Sequence, residues 1–158
     1  MAGMADSNVS GSTNEPQGLS RFVRAQEENY GRALSEIRDG RKCSHWMWYI
    51  FPQIEGLGDS WMSRRYAIKD SAEAVAYLRH PILGPRLVEC ADAALRIEGR
   101  SALEVFGSPD DQKLRSCATL FASVSPQGSV FHRLIDKYFQ GTSDSRTLHL
   151  LDSPLASQ

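Results

Sequence analysis

The sequence predicts an all-α fold, a single compact domain of about seven short helices with an irregular aromatic-rich segment, and not a regular up-down bundle. Three observations predict it. Apolar residues recur at helical period over most of the body. Helix start and stop residues punctuate that pattern at short intervals. One short aromatic run, Trp46 to Phe51, is the only stretch that also reads as a strand, and the rest of the chain offers it few partners.

The elements follow in order. Residues 1–18 are rich in Gly and Ser and nearly devoid of large apolar side chains, so they read as a disordered leader without a secretory signal. The domain occupies residues 19–151, and residues 152–158 read as a frayed end. The first helix runs from about Ser20 to Asp39, with Phe22, Val23, Gln26, Tyr30, Ala33, Leu34 and Ile37 as its stripe and Gly40 as its stop. Ser44 is placed to cap a two-turn helix through Phe51, which Pro52 ends. Gly56 and Gly58 make a loop, and Ser60 caps a short helix through Tyr66. Ser71 begins a helix that stops near His80-Pro81, and Pro85 suits the first position of the next, which ends by Gly99. Ser101 with Glu104 is a capping box, and Ser108-Pro109-Asp110-Asp111 is a second helix start. Ser129 opens a helix stopped at Gly141, and Ser145 to Leu151 forms a last short one.

Composition narrows the function classes. The 158 residues carry 18 Lys+Arg against 19 Asp+Glu, a formal net charge of −1. That balance removes the long-range pull on which bulk nucleic-acid binders and anionic-membrane binders rely. The longest apolar run is far short of the ~20 residues of a membrane span. Cys43, Cys90 and Cys117 form no C-x-x-C motif and cannot all pair, so they are expected to be free buried thiols in a reducing cytoplasm. His45, His80, His132 and His149 lack metal-ligand spacing, so neither a metal site nor a cofactor is expected.

The aromatic residues are unevenly spread. All three Trp, with Tyr49, Phe51 and Tyr66, fall between His45 and Tyr66. Arg41, Lys42 and His45 are interleaved with Trp46, Trp48 and Tyr49, which sets two cations and a proton-transfer group beside stacking surfaces. Trp46, Ile50 and Phe51 read mainly as core, while His45 and Trp48 divide evenly between core and site. Asp110, Lys113 and Arg115 form a second charged group at a helix start, where the helix dipole alone already accounts for acids. The Gly56-x-Gly58 loop and Arg64-Arg65 form only a weak anion-binding pattern, with turn chemistry the better reading.

The segments Gly40-Arg41-Lys42-Cys43-Ser44-His45-Trp46-Met47-Trp48-Tyr49-Ile50-Phe51-Pro52-Gln53, His80-Pro81-Ile82-Leu83-Gly84-Pro85-Arg86-Leu87 and Phe106-Gly107-Ser108-Pro109-Asp110-Asp111-Gln112-Lys113-Leu114-Arg115-Ser116 resemble the bacterial "domain of unknown function 1810" family. The resemblance covers about Ser20 to Leu151 and implies an all-α domain but no established reaction, cofactor or partner. Relatives are often labelled calpastatin, a repetitive, disordered and highly charged inhibitor. This chain has three Trp and no repeat.

Two functional expectations follow. In the first, the two charged segments line one pocket for an anionic planar small molecule such as a nucleotide or an ADP-ribose-type metabolite. His45 or Asp110 would move protons, and Arg41, Lys42, Trp48, Gln53, Tyr66, Lys113 and Arg115 would bind. In the second, the aromatic window is core plus a patch for a protein partner, and the chain is a non-catalytic interaction or regulatory module.

Overall fold

The computed structural model describes residues 18–152, so the expectations for the leader and for residues 153–158 lie outside the described residues. Among the described residues the chain forms nine helices and no strand. These are α1 (Leu19–Arg38), α2 (Met47–Ile50), α3 (Trp61–Arg65), α4 (Ser71–Arg79), α5 (Leu83–Leu95), α6 (Ala102–Phe106), α7 (Asp110–Ala122), α8 (Val130–Phe139) and α9 (Ser145–Asp152).

The all-α expectation holds, and most helix starts follow local capping chemistry. The Ser60, Asp70 and Ser129 side chains each accept the backbone N–H three residues on, satisfying donors that the first turn leaves open. Ser101 and Glu104 form the full reciprocal capping box at α6. Gly40, at φ +77°, takes the left-handed conformation that turns the chain after α1.

The aromatic segment differs from expectation. Ser44 does not cap a helix; α2 has four residues, and its N-cap is Trp46 with no side-chain cap bond. Ser44 is diverted because its hydroxyl finds a better acceptor in the Glu36 carboxylate, at 2.6 Å. Farther on, Pro85 is the third residue of α5 rather than its first. Ser108 does not cap α7, whose N-cap is Pro109. The aromatic run takes the helical and not the strand alternative; beyond it, one isolated parallel bridge, Ile54 with Ile68, pins the loop ends through Glu55 N–H to the Ile68 carbonyl and Ile68 N–H to the Gln53 carbonyl, both 2.8 Å.

The core is assembled around α5, α7 and α8. α1 and α4 pack on α5, α8 packs on both α5 and α7, and α6, α4 and α9 close on α7. α7 supplies its middle, burying every residue from Ser116 to Ala122. Trp46, Ile50 and Phe51 are core, as the sequence predicts, and Met47 is buried with them. Phe51 meets Phe106 edge-on at 6.0 Å, and Phe22 meets Tyr77 edge-on at 5.1 Å. No described helix is long and apolar enough to cross a membrane.

One polar side chain of α1 is buried with the core. Gln26 is 1% exposed and donates to the Tyr49 carbonyl at 2.7 Å and to the Tyr77 hydroxyl at 3.2 Å. Its oxygen accepts from Arg86 at 3.3 Å, so each polar end has a partner and the burial costs little. α1, α2, α4 and α5 are thereby held to one side chain.

The α4–α5 corner allows no side chain at Gly84. A Cβ there would fall 2.1 Å from the Leu78 carbonyl oxygen, a main-chain atom that cannot swing aside. Gly84→Ala is therefore expected to destabilise the fold by about 1–3 kcal/mol through overpacking. Urea denaturation checks this, and a midpoint unchanged from the parent would contradict the corner geometry.

Candidate functional site

The site begins with a carboxylate on α1. Glu36 Oε1 accepts the backbone N–H groups of Cys43 (2.8 Å) and Ser44 (2.9 Å) and the indole N–H of Trp46 (2.8 Å), while Oε2 takes the Ser44 hydroxyl. Four donors on one carboxylate hold the chain between Gly40 and Trp46 against α1. Burial pushes the Glu36 carboxyl up, but the bonds from Ser44, Cys43 and Trp46 outweigh it and hold the group down at about 2.

With the segment fixed, Lys42 is carried to α7. Its backbone N–H donates to the Val105 carbonyl at 2.8 Å, its ammonium donates to the Ser44 carbonyl, and it sits 5.0 Å from the centre of the Trp46 ring. The ammonium reaches Asp110 Oδ2 at 2.9 Å. Both side chains are largely covered, Lys42 at 8% and Asp110 at 18% exposure. The other carboxylate oxygen, Oδ1, faces Lys113 at 3.6 Å. The Lys113 ammonium in turn lies 4.9 Å from the centre of the Trp48 ring. Two segments more than sixty residues apart thus meet in one cluster of Lys42, Asp110, Lys113 and Trp48, in which two ammonium groups share one carboxylate.

The remaining sequence-predicted residues fall elsewhere or at the edge. His45 is exposed, and its carbonyl accepts the Tyr49 hydroxyl at 3.4 Å. Arg41 is exposed, with no side-chain hydrogen bond or ion pair among the described residues. Gln53 is engaged through its backbone carbonyl in the bridge to Ile68. Tyr66 packs on Phe22 (5.7 Å) and Tyr49 (5.3 Å), because α3 turns it toward α1 and not toward Trp48. Arg115 donates to the Thr142 carbonyl at 2.9 Å and lies over Phe139, because two residues beyond Lys113 the helix turns it to another face, on the side of α8. Lys42 itself is engaged by Asp110 and Ser44, which makes it the tether of the cluster and leaves Lys113, at 20% exposure, as the less covered of the two cations. Glu36 was not singled out from the sequence. Its partners lie seven to ten residues on, across a turn, and no helical or strand spacing marks such a contact.

The cysteines divide. Cys90 and Cys117 are buried, and burial raises both thiols, Cys90 to about 12 and Cys117 well above its ordinary value. Cys43 is exposed, contrary to expectation, because the Glu36 clamp takes its backbone N–H and turns its side chain outward, with the thiol 3.7 Å from the Arg41 carbonyl.

These features describe an all-α protein in which a clamped, cation-bearing aromatic segment meets a helix N-terminus. The chain belongs to the family described as "Protein of unknown function (DUF1810)", which matches residues 16–151. Its fold is similar to that in the crystal structure of the conserved hypothetical protein Rv1873 from Mycobacterium tuberculosis, with 48% identity over 87% of this chain and 99% of that chain and a TM-score of 0.85. Nothing among curated proteins matches the chain.

The Glu36 clamp has a pH signature. Its folded value lies below the ordinary 4.5, so its contribution to stability is fully present above about pH 4.5 and is lost as pH falls toward about 2. Glu36→Gln removes the charge and turns an N–H₂ toward donors, and is expected to cost about 1–3 kcal/mol at neutral pH. The variant's stability should also fall less steeply between pH 5 and about 2 than the parent's. Urea midpoints across that range check both, and parallel curves would show that Glu36 is not the linked group.

Proposed function

We propose that the chain binds an anionic planar small molecule, of the nucleotide or ADP-ribose type, at the cluster of Trp48, Lys113 and Asp110. One observation carries the reading: Lys113 sits over the Trp48 ring while sharing Asp110 with Lys42. A site with two cations for one carboxylate carries surplus positive charge, and the indole beneath gives a ring surface on which a planar group stacks. A ligand would lay its ring on Trp48 and take Lys113 as its anion partner. Lys42 would keep Asp110 in place, and Arg41 would extend the positive field at the edge. His45, exposed and three residues from Trp48, and Asp110 are the groups able to exchange a proton with the bound molecule. A reducing, cytoplasmic setting belongs to the same reading, since the exposed thiol of Cys43 stands free.

Thermal shift against AMP, ADP, NAD and ADP-ribose tests the reading. Ligand at a hundredfold excess over its dissociation constant adds about 2.7 kcal/mol of apparent stability. At least one of the four is expected to raise the melting temperature of the parent protein. Trp48→Ala and Lys113→Ala should reduce that shift, while Gln53→Ala and Arg115→Ala keep it in full, because the latter two stand outside the cluster. No shift with any of the four, or equal shifts in Trp48→Ala and Lys113→Ala, would overturn the assignment.

A further inference from the structure

A second, independent feature lies where α1 begins beside α3. A concavity of about 480 Å³ is lined there by Arg21, Arg64, Arg65 and Lys69, with Glu55 and Glu73 as its only acids. None of the four cations makes an ion pair among the described residues. The contrast with the concavity of about 410 Å³ along α5 is informative. Its two arginines are both neutralised, Arg38 by Glu89 at 3.5 Å and Arg96 by Asp92 at 3.1 Å.

The cations beside α1 are nonetheless held in place. Arg21 donates through Nε to the Arg65 carbonyl and through a terminal nitrogen to the Ala67 carbonyl at 2.6 Å, with its guanidinium 4.4 Å from the centre of the Phe22 ring. Arg64 donates through Nε to the Asp59 carbonyl at 3.0 Å. Of the two acids, Glu73 is occupied by the Lys69 backbone N–H at 2.7 Å. Carbonyl oxygens can orient guanidinium groups but cannot cancel their charge. Burial holds the Arg21 guanidinium below its ordinary value, Glu73 opposes this, and the neighbouring Arg65 adds to it. Four cations on a fixed frame face two carboxylates, neither of them ion-paired to a cation of the concavity among the described residues, and the surplus positive charge suits an added anion.

The edge of the concavity supplies a ring surface. Trp61 is 68% exposed, the highest exposure among the large apolar side chains of the described residues. The Arg65 guanidinium lies 5.6 Å from the centres of both the Trp61 and the Tyr66 rings, so one cation that lines the concavity also braces the exposed indole. Guanidinium forks match pairs of phosphate oxygens, and an exposed indole beside them receives a planar base.

We propose that this concavity is a phosphate-binding site for a small molecule carrying a diphosphate and a planar ring, a nucleoside diphosphate in chemical class, with Arg21, Arg64, Arg65 and Lys69 on the phosphates and Trp61 on the ring. It stands apart from the Trp48 cluster and does not depend on it.

Titration of the full chain with inorganic pyrophosphate and with ADP, followed by calorimetry and tryptophan fluorescence, tests the proposal. Both probes should bind, more weakly as salt is added, and ADP should bind more tightly and perturb the fluorescence. The double variant Arg64→Gln/Arg65→Gln, both exposed positions, should weaken both probes by about tenfold or more. Trp61→Ala should weaken ADP by about tenfold, the worth of one stacked base, and leave pyrophosphate unchanged. Lys113→Ala should leave pyrophosphate unchanged, which separates this site from the Trp48 cluster. Absence of pyrophosphate binding at millimolar concentration, or equal binding by the double variant, would overturn the phosphate site. ADP no tighter than pyrophosphate, or indifferent to Trp61→Ala, would overturn the nucleoside diphosphate assignment.

Discussion

The Glu36 carboxylate is the point on which the arrangement of the aromatic segment turns. A loop that leaves a helix at a left-handed glycine has many ways to run, and ordering each residue costs roughly 1–2 kcal/mol in backbone entropy. Four hydrogen bonds to one ionised carboxylate select a single path from Gly40 to Trp46. Bonds to a charged acceptor are worth about 1.5–3 kcal/mol each, which makes this the strongest local constraint on the segment. Three consequences follow from that one path: the Trp46 ring enters the core with its N–H satisfied, Lys42 arrives at α7 beside Asp110, and the thiol of Cys43 faces outward.

Behind the clamp, Gln26 performs the same task for the interior. Its amide receives or gives a bond to the backbone of α2, the hydroxyl of α4 and the guanidinium of α5. A methionine or leucine side chain there would fill a similar volume, yet it would leave the Tyr49 carbonyl without its donor. Polar groups placed at the crossing of several helices favour one register among the many that apolar packing alone tolerates. The aromatic window is then shared out by geometry. Trp46, Tyr49 and Phe51 are core, Trp48 is half-covered beneath Lys113, and Trp61 is left in solvent.

Electrostatics acts here through placement and not through total charge. A net charge of −1 hides two regions where cations outnumber the carboxylates that face them. In the first, the surplus is partly quenched inside a covered ion pair; in the second, main-chain carbonyls orient the arginines and leave their charge open. Desolvation makes the first arrangement a tether and the exposure of the second leaves it available to solution anions.

The helices themselves were legible from the chain because their signals are local. Ser60, Ser101 and Ser129 cap the helices that follow them, and the buried stripe of α1 is close to the one its 3.6-residue period picks out. The meeting of Lys42 with Asp110 could only be suspected, since both residues carry charge near apolar stretches. What the sequence could not contain was the choice between local and distant partners. Ser44 had a helix cap open to it and took the Glu36 carboxylate; Tyr66 and Arg115 lay beside the right segments and were turned to other faces by α3 and α8. A side chain's own position in the chain determines which helix carries it. Which neighbour it meets is decided by the strongest acceptor or the best-fitting ring within reach, and that is known only once the helices have packed.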